Sequence, residues 1–159
     1  MTPTVEERIS EKLKRIKVKN IMTRSVITMR EDETLSSLAD LLIRTKISGA
    51  PVLNGVGEMT GIVTITDLLN LMGKIKDGSF VHDNQSLRKD LSVKAVMTKN
   101  VSTIAEEATL LDAVNMMCTK KIHTLPVVKE GALIGVLGRR DVIMYFYAAV
   151  RESIEEINR

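Results

Sequence analysis

The sequence predicts a mixed α/β fold of the α+β type, in which two β-α-β-β-α repeats pack as a pseudo-twofold pair with extra N- and C-terminal helices. The 159-residue chain matches itself at a shift that brings residue 18 onto residue 93. Strand and helix patterns follow the same order in both copies, and one copy alone is too small for a stable core. The predicted segments are an N-terminal helix at 1–17, repeat 1 at 18–73, a linker at 74–91, repeat 2 at 92–150 and a C-terminal helix extension at 151–159.

The internal repeat consists of short motifs that recur in the same order. One residue is lost in the polar turn at 54–58, and the match then continues to the end of the repeat. A single gap placed in a turn indicates duplication rather than chance. The matching positions are Val18-Lys19 with Val93-Lys94, Met22-Thr23 with Met97-Thr98, Thr34-Leu35 with Thr109-Leu110, Pro51-Val52 with Pro126-Val127, Gly61 with Gly135, and Asp67 with Asp141.

Apolar spacing assigns the helices and strands. A helix is predicted at 4–17, where Thr4 and Glu7 fit a capping box. The first helix of each repeat has apolar residues at i, i+3, i+4 and i+7, starting from Leu35 and Leu110. Short apolar runs predict strands around 26–28, 50–53 and 61–65 in repeat 1, and around 101–104, 125–128 and 133–137 in repeat 2.

The composition disfavours nucleic acid and membrane as partners. The net charge is only +3, aromatic residues make up 3% of the chain, and there is no Trp to stack on bases. No apolar stretch approaches the length of a membrane span, and the charged N-terminus does not resemble a signal peptide. A cytoplasmic location is therefore expected.

Catalytic and metal-binding residues are not indicated. The single cysteine, Cys118, lies among apolar residues and is predicted to be a small core residue. His82 and His123 are the only histidines, and neither has a partner at the spacing of a metal site or a nucleophile–base pair. We expect no enzyme activity and no metal.

The stretch from Gly61 to Asp67 predicts a buried strand, containing Val63 and Ile65, that turns into a helix at Asp67. Thr64 and Asp67 then bracket a turn with unpaired backbone N–H groups, where anions are favoured. Asp is also a favoured N-cap residue. From the local sequence alone, a ligand site and a simple helix cap remain equally open.

The motifs together resemble a tandem pair of CBS domains, the module named after cystathionine β-synthase. Val-Lys-x-x-Met-Thr, a Thr-Leu helix start, Lys-Ile-x-x-x-Pro-Val and a Gly strand ending in Asp occur in order, twice, over about residues 18–150. The chain is similar to a stand-alone CBS pair. This resemblance implies binding of AMP, ADP, ATP or S-adenosylmethionine in clefts between the repeats, with no required cofactor, and assembly as a homodimer.

The resemblance also implies the site residues. Asp67 and Asp141 suit the two ribose hydroxyls, and Thr64 offers its hydroxyl to a phosphate. The purine slot is expected from Ile47, Gly49, Ala50 and Pro51 with Thr28 nearby, and in the second repeat from Ile122, His123, Leu125 and Pro126 with Thr103 nearby.

The second repeat departs from the motif. Gly138 stands where the first repeat has Thr64, so the hydroxyl is lost. Arg139 and Arg140 add positive charge in its place, and His123 either faces a phosphate or is an ordinary surface residue. The two sites are therefore expected to differ in strength, although the sequence does not decide which binds better.

The expected function is a regulatory, ligand-sensing module that acts on a protein effector. A ligand-independent dimeric interaction scaffold is the alternative. In that case the terminal helices and the aromatic residues at 145–147 would carry the interaction, because three adjacent aromatic side chains cannot all face one core.

Overall fold

The computed structural model describes residues 1–78 and 91–159, so most of the predicted linker lies outside the described residues. The helices are α1 (Val5–Arg15), α2 (Leu35–Thr45), α3 (Ile65–Lys76), α4 (Val93–Val96), α5 (Leu110–Lys120) and α6 (Arg139–Ile157), with a 3-10 helix at Val18–Asn20. The strands are β1 (Met29–Arg30), β2 (Gly49–Leu53), β3 (Met59–Thr64), β4 (Ile104–Ala105), β5 (Thr124–Lys129) and β6 (Ala132–Gly138). The predicted β-α-β-β-α order is confirmed in both repeats.

The chain forms two compact units that divide it differently from the sequence repeats. Unit 1 consists of Met1–Val26 together with Ser102–Arg159, and unit 2 of Ile27–Val101. The first part of repeat 1, including Met22-Thr23, therefore belongs to the unit built on repeat 2. Met97-Thr98 belongs to the unit built on repeat 1.

Unit 2 contains a three-stranded sheet in the order β1-β2-β3. β1 runs parallel to β2, with Met29 opposite Val52, and β2 runs antiparallel to β3, with Gly49 opposite Thr64. The sheet, α2 and the incoming 93–97 segment share one apolar core, which excludes water from one face of the sheet. The buried residues of this core are Met29, Leu38, Leu42, Ala50, Val52, Val63, Val93 and Met97.

Unit 1 repeats this topology with β4-β5-β6 and adds the N-terminal helix. β4 is parallel to β5, and β5 is antiparallel to β6, with Thr124 opposite Gly138. The buried core is larger because α1 and the long helix α6 also contribute to it. Its residues are Leu13, Val18, Ile21, Met22, Ile104, Leu110, Ala113, Leu125, Val127, Leu137, Val142 and Ala149.

Each entering Met-Thr segment is fixed to a strand in the same way. In unit 2, Thr98 and Ile62 exchange both backbone hydrogen bonds, at 2.8 and 2.9 Å, and the Met97 sulfur lies 2.5 Å from where a Cβ on Gly61 would stand. In unit 1 the corresponding backbone bonds join Thr23 and Val136, at 2.9 and 3.0 Å. There the Met22 sulfur lies 2.5 Å from the Cβ position of Gly135. A glycine is needed at both strands because any side chain would displace the methionine.

Helix α1 packs against the rest of unit 1 through an apolar stripe and ion pairs. The predicted capping box of Thr4 and Glu7 is confirmed. Leu13 is buried in the core. The Lys12 Nζ lies 2.9 Å from the Glu156 Oε1 and 3.1 Å from the Glu152 Oε2, both on α6. The hydrogen bond from Lys12 holds the pKa of Glu156 below its usual value. Among the described residues, no helix has the length and apolar character needed to cross a membrane.

Several sequence predictions are wrong in detail. The short strands β1 and β4 begin three residues later than predicted. Ile65 is not a buried strand residue: it begins α3 and is 44% exposed, because Thr64 already caps the helix. Cys118 is exposed rather than in the core, since it lies on the outer side of α5.

The three adjacent aromatic residues separate as their spacing requires. Tyr145 packs against the unit 1 core, whereas Phe146 and Tyr147 are 43% and 64% exposed. Successive helical positions point about 100° apart, so the second and third rings cannot follow the first into the core.

Candidate functional site

The first turn, between β3 and α3, is a closed network around one carboxylate. Thr64 is the N-cap residue, and its hydroxyl accepts a hydrogen bond from the Asp67 backbone N–H at 3.3 Å. In the opposite direction, the Asp67 Oδ2 accepts hydrogen bonds from the Thr64 backbone N–H at 2.7 Å and from the Thr64 hydroxyl at 3.1 Å. Asp67 is therefore the third residue of the helix and the acidic member of a capping box, and the N-cap residue is Thr64.

Thr98 completes this network from another part of unit 2. Its hydroxyl donates to the Asp67 Oδ1 at 3.1 Å. The backbone of Thr98 is fixed by its two hydrogen bonds to Ile62 on β3, so the hydroxyl is held beside the turn. Sequence reasoning did not assign Thr98 to the site, although the duplicated Met-Thr motif was a signal that this position matters.

In the second turn, between β6 and α6, the aspartate carboxylate accepts fewer hydrogen bonds than in the first turn. The Asp141 Oδ2 accepts a single hydrogen bond, from the Gly138 backbone N–H at 2.9 Å. Gly138 has no hydroxyl, so the reverse half of the capping interaction is missing. No other described residue donates to the Asp141 carboxylate, and Thr23, which matches Thr98 in the repeat, makes only its backbone bonds to β6.

Both helices are also fixed to the preceding strand by one backbone bond. The Ile65 N–H donates to the Ser48 carbonyl at 2.9 Å, and the Arg139 N–H donates to the His123 carbonyl at 3.0 Å. The main chain of His123 thus positions the start of α6. Its side chain is exposed, which leaves open the two interpretations of this residue that the sequence offered.

The predicted slot residues of unit 2 fall beside the first turn. Gly49 is paired with Thr64 across the sheet, and a Cβ on Gly49 would lie only 2.7 Å from the Thr64 Cγ2. Ala50 and Pro51, on β2, are fully buried and belong to the interior of unit 2 rather than to its surface. Ile47 packs at the edge of the core, and Thr28, half-buried, immediately precedes β1.

The matching residues of unit 1 follow the same arrangement. Leu125 and Pro126 are fully buried, Ile122 packs against the core, and Thr103 is half-buried immediately before β4. Arg139 and Arg140 are exposed, and neither side chain pairs with an acid in the part of the chain that the structure describes. The second turn therefore carries two exposed arginines next to Asp141 in sequence, where the first turn has the exposed residues Ile65 and Thr66.

The structure thus groups the predicted residues by unit. Direct contacts or strand pairing join Gly49, Thr64 and Asp67 in unit 2, and Gly138 and Asp141 in unit 1. Thr28 and Thr103 lie at the start of the neighbouring strand, and no hydrogen bond of theirs reaches the carboxylates within the described residues.

Comparison with known proteins decides the family. The family model of the CBS domain matches residues 18–74 and again residues 93–148. The chain belongs to the CBS domain family. An uncharacterized protein of Methanocaldococcus jannaschii is 32% identical over 150 residues, which cover 79% of this chain and 88% of that protein. Several other curated relatives are longer, and the chain spans only 25% to 41% of their length.

Solved CBS structures share the fold. A putative acetoin utilization protein from Vibrio cholerae is 28% identical with a TM-score of 0.69, over 89% of this chain and 96% of that one. The protein CBSX2, whose structure is a complex with AMP, is 24% identical with a TM-score of 0.67, over 91% and 99% of the two chains. At that identity the likeness to CBSX2 shows the fold and not the ligand.

Proposed function

We propose that this CBS pair is a regulatory module that binds an adenosine-containing ligand at its strand-to-helix turns, with Asp67 and Asp141 as ribose-binding residues. The duplicated carboxylate, placed identically after β3 and β6, is the observation that supports the proposal most. The AMP complex of CBSX2, which has the same fold, is consistent with it.

The chemistry of the turns suits such a ligand. A ribose presents two neighbouring hydroxyl donors, and a carboxylate accepts both through charge-assisted bonds. We expect the purine beside β2 and β5, whose first residues, Gly49 and Thr124, pair with Thr64 and Gly138 of the two turns. AMP, ADP, ATP and S-adenosylmethionine all carry this adenosine group, so they are the candidates.

The proposal assigns no catalytic step. Within residues 1–78 and 91–159, no group of three or more His, Cys, Asp or Glu side chains is arranged to hold a metal ion. The role we propose is a change in the population of conformations upon binding, which a protein effector then recognises.

Exposed apolar helix faces support assembly as a homodimer. On α3, Ile65, Leu69, Met72 and Ile75 lie at i, i+4, i+7 and i+10 and are 44% to 62% exposed. The matching helix α6 exposes Ile143, Phe146 and Tyr147. A stripe of this kind on a helix generally packs against another protein surface.

The same faces favour a second candidate function, a ligand-independent interaction scaffold. In this case Asp67 is only a capping residue, which its closed network allows. The scaffold predicts an association of chains that no nucleotide alters.

Calorimetric titration of AMP, ADP, ATP and S-adenosylmethionine separates the two functions. We expect at least one ligand to bind the wild-type chain and none to bind the double variant Asp67→Ala/Asp141→Ala. Asp112→Ala is the matched control, since Asp112 makes the same capping box with Thr109 at the start of α5, a helix that neither turn precedes. Binding to the double variant equal to wild type, or absence of any binding to the wild type, would reject the proposal.

A further inference from the structure

We propose that Thr98 is a specificity-determining residue: its hydroxyl blocks the Asp67 carboxylate, and Asp141 is therefore the first to accept a ribose. This inference rests on the proposed function, because it assigns the adenosine-containing ligand to one of the two turns. The two carboxylates differ in how many hydrogen-bond acceptor positions they have left.

Asp67 has few acceptor positions left. An ionised carboxylate offers about four lone-pair directions. Two donors from Thr64 occupy those of Oδ2, at 2.7 and 3.1 Å, and the Thr98 hydroxyl occupies one of Oδ1 at 3.1 Å. One direction remains, whereas the neighbouring hydroxyls of a ribose bring two donors. The ribose cannot be fully accepted while the Thr98 bond is in place.

Asp141 has room for both ribose hydroxyls. Only the Gly138 N–H bonds to its carboxylate, at 2.9 Å, and Oδ1 accepts nothing from the described residues. The single bond still orients the side chain, since it fixes Oδ2 against the first turn of α6. About three acceptor directions are therefore open on an oriented carboxylate.

The difference in hydrogen bonding between Asp67 and Asp141 does not arise from the backbone positions of Thr98 and Thr23. Thr98 and Thr23 each exchange two backbone hydrogen bonds with the neighbouring strand, at 2.8 to 3.0 Å. The preceding residues, Met97 and Met22, are each packed over a glycine, with the sulfur 2.5 Å from where a Cβ on that glycine would stand. With both backbones fixed alike, the Thr98 side-chain bond distinguishes unit 2 from unit 1, in addition to the Thr64 hydroxyl that Gly138 lacks.

Access to Asp67 then requires only a side-chain movement. Rotation of Thr98 about χ1 removes its hydroxyl from Oδ1 and leaves both backbone bonds to Ile62 intact. Ligand binding at the first turn must displace a charge-assisted bond, which lowers the affinity there about tenfold relative to an open carboxylate. Binding at the second turn displaces no such bond.

The test uses AMP and the full chain. In an Asp141→Ala background only the first turn remains, and there Thr98→Val is expected to raise the AMP affinity about tenfold. Valine keeps the branched shape and the backbone bonds of threonine. Thr98→Ser, which keeps the hydroxyl, is expected to leave the affinity at the Asp141→Ala level. Melting followed by circular dichroism confirms that each variant is folded.

The matched control is Thr23→Val in an Asp67→Ala background. Its hydroxyl makes no bond to Asp141, so the AMP affinity is expected to stay unchanged. Equal or weaker binding after Thr98→Val would overturn the inference. So would tight AMP binding that depends on Asp67 rather than Asp141, although the proposed function would then stand. A wild-type chain that binds no AMP and no other adenosine-containing ligand would overturn both.

Discussion

Two turns of identical topology hold their carboxylates in different ways. Asp67 in unit 2 accepts three hydrogen bonds, whereas Asp141 in unit 1 accepts one. The immediate cause is the residue before each helix, since Thr64 adds a hydroxyl that Gly138 lacks. Thr98 then extends the difference from another segment of the chain.

The contacts that fix the two entering Met-Thr segments, in contrast, are the same in both units. At Gly61 and at Gly135, a methionine sulfur lies 2.5 Å from where a Cβ would stand. Thr98 and Thr23 each pair with a strand through two backbone hydrogen bonds. Packing contacts have stayed equivalent after the duplication, while the polar contacts around the carboxylates have diverged. We therefore expect substitutions at the two glycines to cost more stability than substitutions at the turns.

The largest expected effect tests whether Gly61 and Gly135 are equivalent in their packing against methionine. Gly61→Ala and Gly135→Ala should each lower the free energy of unfolding, by about 1–3 kcal/mol and by similar amounts, because an added Cβ would lie 2.5 Å from a methionine sulfur. Urea unfolding of the full chain measures both. Gly73→Ala in α3 is the control: its Cβ would meet nothing within 4 Å, and a gain of about 0.5–1 kcal/mol is expected. Wild-type stability in either core variant would disprove the equivalence.

A smaller effect tests the difference between the carboxylates. Asp67→Ala should destabilise the chain by about 1–2 kcal/mol, more than Asp141→Ala at about 0.5–1 kcal/mol, since it removes three hydrogen bonds rather than one. Thermal unfolding without ligand compares the two variants. Equal losses would mean that the Thr64 and Thr98 hydroxyls contribute nothing to stability.

The smallest effect concerns α1, which unit 2 does not possess. The pKa of Glu156 is lowered in the folded chain by Lys12, so its stabilising contribution is present above pH 4.5 and is lost as the pH falls below that value. Lys12→Met should therefore reduce the acid sensitivity of α1 docking, measured by hydrogen exchange of α1 amides between pH 6 and pH 3 (about the range of carboxylate titration). An unchanged pH dependence in the variant would contradict this role of the ion pair.

Much of the fold followed from the sequence. The repeat predicted two β-α-β-β-α copies because identical apolar spacing requires identical burial, and the spacing from Leu35 and Leu110 located α2 and α5 at their first residue. The capping box of Thr4 and Glu7 was predictable for a similar reason: it depends only on residues three apart.

Other features depended on contacts between distant residues. Nothing local to Thr98 indicates that its hydroxyl meets Asp67, because the two are 31 positions apart and are joined only when strand pairing fixes the entering segment. The same kind of tertiary pairing places Met22 in the unit built on repeat 2 and Met97 in the unit built on repeat 1. Cys118 was misassigned because an apolar neighbourhood in sequence does not say which side of a helix faces the core.

A crystal structure of the chain with AMP at limiting concentration tests the central claim most directly. We predict that AMP occupies the turn of unit 1 first, with both ribose hydroxyls within hydrogen-bonding distance of the Asp141 carboxylate, while Thr98 stays bonded to Asp67. AMP seated at Asp67 with the second turn empty would contradict the assignment of the preferred turn. AMP bound away from both carboxylates would contradict the account as a whole.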